Sequence, residues 1–91
     1  MRGILSGRLR YRPEKGFFVI ELDDGGVLFE ERGVQPGQVL YMRQGSEWRE
    51  VRLFYQAGAG WRVPSMGQQG DVISALNGER VGIERRYARE A

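Results

Sequence analysis

The chain has no cysteine and no histidine, and lysine occurs once, at Lys15. Without cysteine there are no disulfides, no thiolate nucleophile and no cysteine-held zinc. Without histidine the commonest general base and metal ligand is missing, and no side chain has an ordinary pKa near neutrality. Catalysis would fall to carboxylates or to a lysine placed in a turn, so neither an enzyme nor a cofactor or metal site is predicted. No apolar run approaches the eighteen residues of a membrane span. The opening "MRGILSGRLR" carries charge inside any would-be hydrophobic stretch, so no signal peptide or membrane association is predicted, and the expected location is cytoplasmic.

What remains is the composition of a folded domain. Of 91 residues, 41% are hydrophobic and 29% charged, enough for one modest core, and residues 1–91 are read as a single domain. Thirteen of the fourteen basic residues are arginine, and the net charge is +2, too small to imply a polyanion partner by itself. The charge is unevenly placed. Residues 1–16 carry Arg2, Arg8, Arg10, Arg12 and Lys15 against Glu14, a net +4, while 17–32 carry Glu21, Asp23, Asp24, Glu30 and Glu31 against Arg32, a net −4. Adjacent strands built from these segments would neutralise each other.

Alternating patterns punctuated by fourteen glycines predict an all-β fold. Strands are read over 4–12, 17–22, 27–31, 38–43, 48–55, 61–63 and 80–84. "PEKG" and "DDGG" turn the first three into a meander, with Phe18, Ile20 and Leu22 facing inward. Residues 71–76 form a helical turn or another short strand, and 85–91 a tail of some helical character with a frayed end. Six or seven short antiparallel strands imply a small barrel, because closing the sheet hides its edges. The strand order is SH3-like or, alternatively, OB-like.

Three resemblances follow from particular residues. "GRLRY" and "KGFFVI" resemble the opening of the cold-shock domain, which implies binding of single-stranded nucleic acid through Arg8, Arg10, Tyr11, Arg12, Lys15 and Phe17. Val19 and Leu28 stand where that family places further aromatics, and Glu30 where it commonly has histidine. Residues 35–65, with Trp48, Gly60, Trp61, Pro64 and Ser65 in order, resemble the central part of an SH3 domain, which implies a contact surface near the tryptophan and proline. Along most of residues 7–83, "GRLRY", "WREVRL", "GWRV" and "LNGERVGI" resemble a family of short bacterial and phage proteins of unknown function.

The leading expectation is therefore a noncatalytic module that binds a protein partner through Trp48, Arg52, Phe54, Trp61 and Pro64, aromatics and arginine being what interfaces favour. Single-stranded nucleic acid on the first two strands is the alternative. Along 48–55, alternation puts Val51, Leu53 and Tyr55 on one face and Trp48, Glu50, Arg52 and Phe54 on the other. Leu40 and Met42 alternate with Val39 and Tyr41, so a flat sheet would expose Leu40, Met42, Trp48 and Phe54 together, whereas a bent barrel would cover much of that face.

Overall fold

A computed structural model describes residues 3–63 and 72–88. The elements are β1 (Ile4–Arg12), β2 (Phe17–Leu22), β3 (Val27–Leu28), β4 (Val39–Gln44), β5 (Glu47–Arg52), β6 (Phe54–Gln56), β7 (Gly60–Arg62), α1 (Val72–Leu76), β8 (Arg80–Glu84) and α2 (Arg85–Ala88). Six strands form one antiparallel sheet in the order β3-β2-β1-β8-β4-β5, and β6 and β7 form a separate ribbon.

β1 is the spine of the larger sheet, and its alternation decides which face is which. Leu9 pairs with Ile20 and Tyr11 with Phe18 on the inward side; Leu5 and Gly7 meet Ile83 and Val81 on the same side. Leu9, Phe18, Ile20, Val81 and Ile83 are fully buried and Leu22 partly so. Arg8, Arg10 and Arg12 take the other positions and point outward. Gly7 is fixed by close approach, since a Cβ there would lie 2.4 Å from the Glu21 carbonyl oxygen. The turns obey the local chemistry. The Arg12 carbonyl accepts from the Lys15 and Gly16 amides, and Asp24 Oδ1 accepts from the Gly26 amide in the next hairpin.

The strands read over 38–43 and 61–63 are shifted by one residue, to Val39–Gln44 and Gly60–Arg62, and two others depart further from their predicted bounds. The strand read over 27–31 ends at Leu28 because Phe29 takes a left-handed backbone, φ 63°, which an extended strand does not accommodate. The chain then folds back. Gly33 donates to the Phe29 carbonyl, and Val34 to that of Phe18. The strand read over 48–55 bends at Leu53, whose carbonyl accepts from the Gly37 amide at 2.7 Å. Its first half pairs with β4 and its second with β7. Counted once, this bent strand makes the described strands seven.

The all-β antiparallel fold is thus as predicted, but the barrel is not closed. β3 and β5 end the larger sheet with no ladder between them, and a two-residue β3 is too short to supply one. The ribbon covers the open side instead. Trp61 sets its ring edge-on to Phe18 with centroids 5.6 Å apart, and its Nε1–H donates to the Gly16 carbonyl at 3.2 Å. Leu53, Val63 and, from α1, Leu76 complete the core. Residues 72–76 are helical, resolving the choice left open there. In the tail, 85–88 form a turn of helix with Tyr87 packed against the core, and 89–91 lie outside the described residues.

Because backbone rather than side chain blocks the space at Gly7, the Gly7→Ala substitution is expected to destabilise by about 2–3 kcal/mol. Gly58→Ala, at positive φ but with open space around it, is expected to cost about 1 kcal/mol. Urea unfolding midpoints of the two variants should keep that order.

Candidate interaction surface

The outward face of β1 and β2 carries the cluster that resembles a nucleic-acid site. Arg8 stands opposite Glu21, Arg10 opposite Val19, and Arg12 opposite Phe17. Glu21 is the hub of this face: Arg10 Nε donates to its Oε1 at 2.9 Å and Arg12 reaches its Oε2 at 3.4 Å. The Arg10 hydrogen bond, with the charges of Arg10 and Arg12 behind it, holds the Glu21 carboxyl below its ordinary value against a smaller opposing effect of burial. Arg80 similarly grips both oxygens of Asp23 at 2.9 Å and lowers its pKa. Glu84 accepts from the Tyr41 hydroxyl and from Arg86, and is lowered too.

Of the six residues named for nucleic acid, Arg8, Arg10, Arg12 and Phe17 therefore share a face, with Glu21 among them. Arg8 is exposed and donates to the Gly78 carbonyl. Lys15 lies in the exposed turn with its ammonium 5.8 Å from the Phe17 ring centre. Tyr11 belongs to the inward face, edge-on to Phe18 at 5.1 Å and packed on the core. Glu30 is elsewhere, in the loop after β3, where it lines a cleft of about 660 Å³ with Phe29, Gln35 and Tyr87.

The residues named for a protein partner separate into surface and core. Trp48, on the outward face of β5, is half-buried because its ring lies over Gly82; a Cβ at Gly82 would stand 3.3 Å from that ring and 2.7 Å from Ile4. The Arg43 guanidinium sits 5.1 Å from the Trp48 ring centre. Arg52 is exposed opposite Val39. Phe54 is 41% exposed. Trp61 is corrected to a core residue, 8% exposed, since the open side of the sheet needs a large apolar cover. Pro64 lies outside the described residues. The flat patch of Leu40, Met42, Trp48 and Phe54 does not form: Leu40 pairs with Val51 on the inward face and is buried, and Met42 packs on the core.

Two surface residues lie beside the predicted contact set without belonging to it. Tyr55 is 58% exposed, although alternation groups it with buried Val51 and Leu53; the bend at Leu53 interrupts that alternation. Its ring meets Trp61 edge-on at 5.5 Å. Arg62 stands opposite Phe54 in the ribbon. The signal available was the absence of any acidic residue from Val51 to Val63, a stretch that holds two arginines.

Among the described residues, Arg10, Arg12, Arg80 and Arg86 pair with carboxylates, whereas Arg43, Arg49, Arg52 and Arg62 have none within 4 Å. No group of three or more carboxylates capable of holding a metal occurs among them, and no described helix is long and apolar enough to cross a membrane. Comparisons with protein-family models, curated proteins and solved structures return no match.

A carboxyl whose pKa is depressed on folding adds stability that is present above its unfolded value and is lost as pH falls through the folded one. With Glu21, Asp23 and Glu84 all lowered, urea unfolding midpoints should decline as the pH drops below about 4.5, the ordinary glutamate value. Glu21→Gln should flatten part of that decline. The variant's cost at pH 7 should stay under about 1 kcal/mol, because the pair is solvent-screened.

Proposed function

We propose that this chain is a noncatalytic protein-interaction module whose contact surface is the corner at Leu53, formed by Trp48, Arg52 and Phe54 together with Tyr55 and Arg62. The observation that carries this reading is the exposure of Phe54 and Tyr55, the two large hydrophobic residues most open to solvent among the described residues. Exposed aromatics beside arginines that have no carboxylate within 4 Å among the described residues are the composition of an interface. Noncatalytic character is supported by the residue inventory, which lacks histidine and cysteine. The likeness to short bacterial and phage proteins agrees with a small module and assigns no activity.

The other reading, single-stranded nucleic acid on β1 and β2, meets a carboxylate among its arginines and a tyrosine turned inward. Phosphate binding would have to displace Arg10 and Arg12 from Glu21.

A photo-crosslinking phenylalanine analogue at Phe54, in the full chain added to extract of its source cells, is expected to give a discrete protein adduct. Excess unlabelled wild-type chain should suppress the adduct, and the Phe54→Ser chain should not. The same analogue at Lys15 should give none. Anisotropy of labelled single-stranded DNA and RNA provides the opposing result: salt-dependent binding lost in Arg10→Ala, with no adduct from Phe54, would replace this reading by the nucleic-acid one.

A further inference from the structure

The arginines of this protein fall into two populations, and the difference points to the partner's chemistry. Arg10 and Arg12 on β1 are held by Glu21, Arg80 on β8 by Asp23 and Arg86 on α2 by Glu84. The other described arginines have no carboxylate of the described residues within 4 Å, and two of them, Arg52 and Arg62, flank the exposed Phe54. Phe54 has Arg52 two residues before it and Arg62 directly opposite in the ladder. Side chains directly opposite in an antiparallel pair share a face and lie about 5 Å apart at Cβ. Neither arginine has a carboxylate within 4 Å among the described residues, and both are exposed. Arg62 Nη1 instead reaches Gln56 Oε1 at 3.5 Å, a weak neutral acceptor on the same ribbon.

Resting on the reading of the corner as a protein-contact surface, we propose that its partner is an acidic segment, one that sets an apolar side chain on Phe54 and carboxylates on Arg52 and Arg62. A guanidinium without an internal anion presents its donors to a carboxylate in a two-pronged geometry, and such charge-assisted bonds fix orientation as well as affinity. The apolar contact supplies desolvation around them. A long polyanion suits the site less well. Glu47 and Glu50 are exposed on β5, the strand that leads into the corner, and Glu30 and Glu31 are exposed in the loop before Gly37, whose amide bonds Leu53. A short acidic peptide engages only the local pair of arginines, whereas a backbone of regularly spaced phosphates would also pass those carboxylates.

The test uses the full chain, isotopically labelled for amide NMR, with three synthetic octapeptides that alternate leucine with glutamate, glutamine or lysine. The glutamate peptide is expected to move the amides of residues 52–56 and 60–62, with an affinity about tenfold above that of the glutamine peptide, and to weaken with added salt. The double variant Arg52→Glu with Arg62→Glu should lose that binding and take the lysine peptide instead. Arg52→Gln with Arg62→Gln should bind neither charged peptide preferentially, and each variant's own amide spectrum reports its fold. Equal binding of the glutamate and glutamine peptides, shifts confined to other surfaces, or tighter binding of an oligothymidylate at residues 52–62 would overturn the proposal. A Phe54 crosslinked adduct that survives Arg52→Glu with Arg62→Glu would refute the acidic partner while leaving the protein-contact reading in place.

Discussion

The fold depends on how the open side of a short sheet is covered. β3 has two residues and cannot close a ladder with β5, so one face of the core would stay wet if nothing crossed it. Trp61 crosses it. Its indole packs edge-on against Phe18 and donates to a turn carbonyl at Gly16, joining the ribbon to the β1–β2 hairpin by both apolar area and a directed bond. A tryptophan suits this position because the span calls for a large apolar body with one polar end. Burying its N–H unpaired would cost what the ring's burial gains in part, about 1–3 kcal/mol.

That cover dictates where the surface chemistry lies. For the ribbon to reach Phe18, the chain leaving β5 must turn away from β4, and it does so at Leu53, which sinks into the core while its carbonyl takes the Gly37 amide. A bend at a buried residue puts its neighbours outside. Phe54 and Tyr55 are therefore exposed as a consequence of the corner, although the Tyr55 ring keeps an edge-on contact with Trp61. Trp48 differs, since its ring already covers the bare backbone of Gly82, and much of its area is used within the fold.

The same reasoning marks what could be read in the residues alone. β1, β2 and β8 match the predicted bounds because strict alternation and strong turn residues act together there. The mutual neutralisation of the first two segments was legible as well, and Arg10, Arg12 and Glu21 carry it out. The stop at Leu28 was not, for nothing in "VLFEE" requires a left-handed phenylalanine; that conformation is imposed by the return of the chain to Phe18. Nor was the division of the two tryptophans, one to the core and one to the sheet's outer face. Period-2 arguments assign a side but not what lies against it, and they lose even the side across a bend, as Tyr55 shows.

Charge placement gives the corner its distinct character. An arginine beside a glutamate on adjacent strands is satisfied within the molecule, and displacing it gives up a solvent-screened ion pair worth under about 1 kcal/mol. A ligand approaching β1 and β2 must meet that cost at Glu21. At Arg52 and Arg62 no carboxylate of the described residues lies within 4 Å, and a ligand displaces at most the weak bond from Arg62 to Gln56. The place where an exposed aromatic ring lies beside two guanidinium groups with no carboxylate among the described residues is the place where association is least opposed by the fold's own ion pairs.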